Sequence, residues 1–241
     1  MTASPVPLPT TVAVILPVLN EAAHLDDSLS ELIEIQQFDE IIVVDGGSTD
    51  ASVEVVCKLM SSDVQPVPRL IQSPRGRASQ MHAGAQAASA DILLFFHADS
   101  RLPPGAAGDI RDAVDRGALW GRFDVRLTGR HFLYRVIERM MNWRSRLTGI
   151  ATGDQGLYVR SDVYRVLGGY APLALMEDIE FCGRLKSVGK PACLHGPVLA
   201  SSRRWEQNGI VRTIILMWAL RFLYWLGVSP ARLARWYTRP L

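Results

Sequence analysis

Cysteine is scarce, with three in 241 residues, and Cys57, Cys182 and Cys193 are odd in number and far apart. They build neither a disulfide framework nor a CxxC metal pair, which is the pattern of a chain kept in a reducing cytosol. A dominant charge sign is missing as well. Lys and Arg number 26 against 24 Asp and Glu, a net charge of +2, so global charge gives no reason to expect nucleic acid. Low-complexity tracts and internal repeats are absent, and 48% hydrophobic against 21% charged content is that of a folded chain, not a disordered one. No GxGxxG follows the first apolar run, which weakens a dinucleotide-dependent oxidoreductase. "GRLKSVGK" (183–190) has five residues between its glycines and no Ser or Thr after Lys190, so it is not a P-loop; HExxH and GxSxG are absent. The opening "MTASPVPLPTTVAVILPVLNE" has no basic leader. Its apolar run holds Pro17 and meets Asn20 and Glu21 at once, which reads as a buried strand rather than a signal peptide.

What is present is alternation. "VAVILPV" (12–18), "EIIVVD" (40–45), "RLIQSP" (69–74) and "DILLFFH" (91–97) are short apolar runs rich in branched and aromatic residues. Between them lie "EAAHLDDSLSELIEI", "DASVEVVCKLM" and "GRASQMHAGAQAAS", with apolar residues at helical spacing. Continuous apolar strands separated by helices imply an α/β fold with a mainly parallel, Rossmann-type sheet covered on both faces. Ligands of such sheets sit beyond the carboxyl ends of the strands. After Leu119 the alternation weakens. "LWGRFDVRL" reads as a strand. "RHFLYRVIERMMNWRSRL" reads as a helix with an apolar stripe at 132, 133, 136, 137, 140 and 141. "SDVYRVLGG" and "EDIEFCGRLKSVG" read as helices ending at glycine.

Polar residues gather at the predicted strand ends. Glu21 follows the first strand, "DGGSTD" (Asp45 to Asp50) ends the second, and His97 and Asp99 end the fourth. One Asp in a turn is ordinary. Three acids on one sheet edge repel one another unless a ligand or cation compensates them.

In order and spacing, "VILPVLNE", "VVDGGSTD", "RGRASQMHAGAQAA", "FFHADS" and "MEDIEF" resemble the successive motifs of the family 2 glycosyltransferases, over roughly positions 12 to 205. The form is most similar to a branch of small bacterial enzymes that includes arsenosugar-biosynthesis-type glycosyltransferases. The resemblance implies a GT-A fold and an inverting, metal-dependent transfer of one sugar from a nucleotide-sugar donor, UDP-linked, to an acceptor hydroxyl. It divides the chain into a transferase domain over 1–205, with a nucleotide-binding half about 12–100 and an acceptor-side half about 101–205, and a C-terminal apolar and basic helical tail over 206–241.

Residue roles follow from the same resemblance. Asp45 holds the nucleoside, with Pro17 and Glu21 lining its pocket; a carboxylate suits an imide or hydroxyl because it only accepts hydrogen bonds. Relatives carry Asp-Asp-Gly-Ser where this chain has Gly46. A turn cap is the alternative for Asp45. Arg77 stands at a predicted helix start suited to phosphate oxygens. A solvated loop arginine is the alternative there, and Arg75 competes for the role. "HADS" occupies the place of the metal-binding DxD motif, so Asp99 inherits the ligand to Mg²⁺ or Mn²⁺. His97, replacing the first Asp, is compatible with Mn²⁺, or equally packs or contacts ribose; His195 is a further ligand candidate or structural. In "MEDIEF", Glu177 and Asp178 are the catalytic pair, Asp178 the general base, against ordinary acidic enrichment at a helix start. Arg204 and Trp205 resemble the end of a QxxRW element on the acceptor side; Ser201 stands in place of its Gln, which argues for single-sugar transfer.

From Ser201 onward seven arginines face a single acid, Glu206. "IVRTIILMWALRFLYWLG" is about 27 Å long as a helix, at roughly 1.5 Å per residue, and contains Arg221. A helix packed on the protein or lying in a membrane interface is therefore expected over a spanning anchor. The expected location is cytoplasmic, at the inner face of the cell membrane with peripheral contact to anionic lipid. The expected partners are a nucleotide-sugar donor and a small-molecule or lipid acceptor. Two readings compete: a sugar nucleotidyltransferase, whose Gly- and Lys-rich signature "PVLNEAAHLDD" lacks, and a catalytically inactive sugar-nucleotide binder docking at membranes.

Overall fold

The computed structural model describes residues 10–35 and 37–237, with the backbone but not the side chain of Arg204. Seven strands are named in chain order: β1 Val12–Val18, β2 Glu40–Asp45, β3 Arg69–Gln72, β4 Ile92–Phe95, β5 Trp120–Leu127, β6 Leu157–Arg160 and β7 Ala192–Ala200. They form one sheet in the order β3-β2-β1-β4-β6-β5-β7. β1 to β4 are mutually parallel, β6 is antiparallel to both β4 and β5, and β5 runs parallel to β7. The expected mainly parallel sheet is present, with one reversed strand that the weak pattern after Leu119 did not announce.

The continuous apolar runs are explained by cover on both faces. Val12, Val14 and Leu16 of β1 pack with α1 (Ala22–Ile35), α2 (Ser52–Met60) and α4 (Ala106–Asp115). Ala13 and Ile15 point the other way, onto α3 (Arg77–Ala87), α6 (Ser161–Val166) and α7 (Glu177–Leu185). The period-two alternation of a strand thus feeds two cores rather than one core and solvent. Each such Val, Leu or Ile contributes about 1.5–3 kcal/mol by leaving water.

β5 carries a buried cation. Arg122 is 1% exposed and its guanidinium contacts Asp124, which also accepts from Arg146 at 2.7 Å. Arg122 further donates to the carbonyls of Phe123 and Asn142, both at 3.1 Å. Burial works against the Asp124 carboxylate, yet the hydrogen bonds from Arg146 and Arg122 outweigh it and hold its pKa below the usual value. Asp124→Ala should destabilise the fold by about 2–3 kcal/mol, below the ~3–5 kcal/mol of a fully stripped buried charge because two carbonyl acceptors remain. A carboxylate with a lowered native pKa stabilises above its unfolded pKa, about 3.9, and loses that contribution as pH falls through the native value. Urea melts at neutral and acid pH check this: the deficit of the variant should shrink in acid, and a constant deficit would contradict the ion-pair account.

The remaining helices are α5 (Phe132–Thr148) in mid-chain and, at the C-terminal end, α8 (Arg203–Asn208), α9 (Ile210–Trp225) and α10 (Pro230–Tyr237). The α5 stripe expected from sequence divides. Ile137 is buried and Met141 packs beside it with Ile210 and Ile214 of α9, whereas Phe132, Val136, Met140, Trp143 and Leu147 are exposed. Positions 132, 136 and 140 lie one residue from 133, 137 and 141, so one broad apolar arc serves two surfaces. No helix among the described residues is long and apolar enough to cross a membrane.

Candidate functional site

Because β1, β2 and β4 are parallel neighbours, their carboxyl ends open on one edge. Glu21, Asp45 and the turn holding His97 and Asp99 meet there. Pro17 is half-buried in β1 opposite Val44. The loops are stitched together: Glu21 N–H donates to Ser52 Oγ at 2.9 Å, Ala22 N–H to Asp50 at 3.0 Å and Thr49 N–H to Asn20 Oδ1 at 2.8 Å. Asp45 is 2% exposed. Its carboxylate accepts from the N–H groups of Gly47 and Ser48 at 3.1 and 3.0 Å, capping its own turn.

The structure gives a physical reason for Gly46. Gln80 of α3 is buried and donates to the carbonyls of Val18 and Val44 at 2.7 and 2.8 Å, bracing the ends of β1 and β2. A Cβ at residue 46 would stand 2.9 Å from the Gln80 carboxamide, so an Asp there would displace this brace.

Arg77 opens α3, as expected, and its guanidinium lies against the His97 ring. Burial, and then the Arg77 charge, push the His97 pKa well below its ordinary value, so the imidazole is neutral at physiological pH. His97 Nδ1 stands 3.7 Å from Asp154 Oδ1. Arg75 is exposed. His195 is 87% exposed by side chain, on β7 near Asp124 and away from the edge loops in its contacts.

Asp178 enters from the other half of the chain. It lies in the first turn of α7 and accepts from Gly153 N–H at 3.2 Å and from Ile179 N–H at 2.8 Å. Gly153 begins the 3-10 turn Gly153–Gln155, where a Cβ would stand 2.6 Å from His97 Nε2. One turn therefore joins Asp178 to His97 and Arg77. The residue before the pair, Met176, is buried with φ 68°. A non-glycine residue there costs roughly 1–3 kcal/mol and marks a point the surroundings over-determine. Burial, reinforced by the adjacent Asp178 charge and opposed by Arg77, raises the Glu177 pKa.

Arg203 is a member of the site that sequence reasoning passed over. Its guanidinium reaches His24 Nε2 at 2.7 Å, Glu21 at 3.5 Å and Asp99 at 4.0 Å, placing a cation between two edge carboxylates. Its only sequence signal was its place beside Arg204-Trp205. The Arg204 side chain lies outside the described residues. Trp205 packs with Val125, Leu127, Tyr134 and Ile137, under the sheet rather than in the edge.

Among the described residues no three His, Cys, Asp or Glu side chains stand close enough to form a metal cage. Asp99, 29% exposed by side chain, offers a partly exposed carboxylate at the edge, next to Glu21, 27% exposed. That donor set fits a Mg²⁺-type ion, which commonly takes one or two carboxylates and completes its shell with water and substrate phosphates.

The sheet edge and its loops belong to an α/β architecture that comparison with known proteins identifies. The structure is similar to S. aureus TarS 1–349 in complex with UDP (TM-score 0.64, 18% identity, 80% of this chain and 60% of that chain). It is similar also to glucosyl-3-phosphoglycerate synthase from Mycobacterium tuberculosis in complex with Mn²⁺, UDP and glucosyl-3-phosphoglycerate (TM-score 0.57, 20% identity, 79% and 72%). At these identities the likeness shows the GT-A fold alone. In sequence, an undecaprenyl-phosphate 4-deoxy-4-formamido-L-arabinose transferase from Yersinia pestis is 29% identical over 161 residues, 62% of this chain. The chain spans about half, 48%, of the length of that relative. The profile of glycosyl transferase family 2 matches residues 13–168, and the chain belongs to that family.

Proposed function

We propose that the protein moves one sugar from a UDP-linked donor to an acceptor hydroxyl with inversion, in a reaction that uses Mg²⁺ or Mn²⁺. The observation that carries this reading is the single edge on which Glu21, Asp45 and Asp99 meet Asp178 through the 153–155 turn. Asp45 and Glu21, with Pro17, face the nucleoside; Arg77, fixed against neutral His97 at the start of α3, faces the diphosphate. Asp99 would hold the cation, which when bound neutralises charge on the leaving diphosphate. Asp178 takes the acceptor proton, and Glu177 lies buried beside it, its pKa raised by burial and by the Asp178 charge. The solved neighbours with UDP, one of them also with Mn²⁺, support this donor and ion. Incubating the protein with UDP-sugars and Mn²⁺ while following UDP release tests it. Release that requires the metal is expected. The absence of both release and UDP-dependent thermal stabilisation would contradict the reading.

Residues 206–237 form, on this reading, a helical tail that docks on anionic lipid, where a lipid acceptor is met; residues 238–241 of the expected tail lie outside the described residues. The α5 stripe is exposed, as are Val211, Ile215, Trp218, Phe222 and Trp225 of α9 (58–78%), with exposed Arg139, Arg212, Arg232 and Arg235 nearby in sequence. Aromatic and apolar side chains mixed with arginines complement an anionic interface, and the lipid-linked substrate in the name of the Yersinia relative supports the same location. High salt or carbonate should release the protein from membranes; retention until detergent is added would contradict peripheral docking.

A further inference from the structure

α9 carries two arginines: Arg212 near its start is exposed, whereas Arg221, inside the apolar run, is half-buried and does not face solvent with the stripe. α9 lies over the start of α7, with Leu220 buried against Met176 and with Leu216 and Leu223 beside Ile179. Arg144 approaches the same place from α5. That helix is tied to the 153–155 turn by Gln155, which donates to Ser145 Oγ at 3.3 Å and to Asn142 Oδ1 at 3.4 Å. The same turn donates Gly153 N–H to Asp178. Arg144 and Arg221, half-buried and on different helices, both feel the charge of Asp178. Arg144 Nη2 and Arg221 Nε are buried and have no hydrogen-bond partner among the described residues. Burial, and then the Arg221 charge, pull the Arg144 pKa down to about 10 against the attraction of Asp178. Burial also lowers Arg221, opposed by Asp178 and Asp154. Arg122 adds further repulsion on Arg144.

This arrangement is unfavourable on its own. A buried donor without an acceptor costs stability, and like charges close together add to the cost. Orphaned buried groups in a folded protein call for a reason, and a ligand that supplies the missing acceptors is the simplest. We propose that Arg144 and Arg221 form an anion subsite for a phosphate monoester carried by the acceptor, held beside Asp178. A phosphate dianion matches two guanidiniums in charge and offers several oxygens to planar donor forks, which a neutral hydroxyl does not. The subsite lies on the acceptor side, because both arginines come from α5 and α9 and not from the β1, β2 and β4 loops that face the nucleotide. The exposed Trp143 and Leu147 flank Arg144 in sequence, and Phe222 follows Arg221. A phosphate here could thus belong to a lipid headgroup or to a water-soluble metabolite. The inference rests on the transferase reading above.

The test uses the full chain and two probes: glucose 6-phosphate in solution, and dodecyl phosphate in phosphatidylcholine vesicles compared with undoped vesicles. Binding of UDP with Mn²⁺ is measured in parallel. The native protein is expected to bind at least one phosphate probe, and R144Q and R221Q should each weaken that binding about 10–100-fold, the range for a hydrogen bond to a charged group. R221K should restore part of it. UDP affinity should stay within about twofold, and the melting temperature without phosphate should hold or rise, because an unmatched charge has been removed. Binding of dodecyl phosphate alone assigns the phosphate to a lipid, and binding of glucose 6-phosphate assigns it to a soluble acceptor. Equal weakening of UDP and phosphate would overturn the proposal by giving the pair to the donor. So would a lower melting temperature with phosphate binding intact, which would make the arginines structural. A native protein that binds UDP but neither phosphate probe overturns the subsite and leaves the transferase reading standing; one that binds none of the three overturns both.

Discussion

Asp178→Asn is expected to lower turnover by roughly 10²–10⁴ while leaving donor affinity within about twofold. The substitution keeps the shape and one of the two acceptor oxygens; Gly153 N–H now donates to Oδ2 at 3.2 Å and Ile179 N–H to Oδ1 at 2.8 Å, so one of these bonds is kept and the other is lost. What it removes is the capacity to take a proton from an attacking hydroxyl. Single-turnover rates with saturating donor separate this loss from slow product release. A fall in donor affinity of the same size as the fall in rate would show that Asp178 binds the donor.

Asp99→Asn should act on binding. A carboxylate that contacts a divalent ion is worth more than the outer groups around it, whose loss already costs about 10–100-fold in metal affinity. The metal concentration needed for UDP binding should therefore rise by at least about 100-fold, with metal-free UDP binding little changed. Arg203 sharpens the expectation. Its guanidinium stands 4.0 Å from Asp99 and 3.5 Å from Glu21. Loss of the Asp99 charge leaves this cation facing the place where the metal would bind, so repulsion adds to the missing ligand. Titrating Mn²⁺ at fixed UDP reads the effect, and an unchanged metal requirement would remove Asp99 from the metal site.

The carboxylate edge was legible in the sequence because a parallel sheet imposes it. Once "VAVILPV", "EIIVVD" and "DILLFF" are strands of one sheet, the residues that follow them share a side, and Glu21, Asp45 and Asp99 had to approach one another. The antiparallel β6 was not legible. Its four residues between Leu157 and Arg160 carry no signal of direction, which is set by packing between β4 and β5. Gly46 showed as a departure from a motif, but its cause, the Gln80 brace from α3, is a contact across 34 residues that no local pattern contains. Arg203 was hidden by its company, one arginine in a segment rich in them. Arg221 was the reverse case: a charge inside an apolar run is visible in sequence, but the sequence alone pointed only to its cost in a membrane. The fold shows a different setting: α9 packs over the start of α7, with Leu220 against Met176, and Arg221 is half-buried there.

The most direct measurement is donor affinity and single-turnover rate, determined together for Asp178→Asn and Asp99→Asn across a range of Mn²⁺. The division of labour argued from the structure predicts that Asp178→Asn binds UDP-sugar normally and reacts slowly at every metal concentration, whereas Asp99→Asn binds it weakly and recovers as Mn²⁺ rises. The opposite pattern, with donor binding lost in Asp178→Asn and retained in Asp99→Asn, would contradict it.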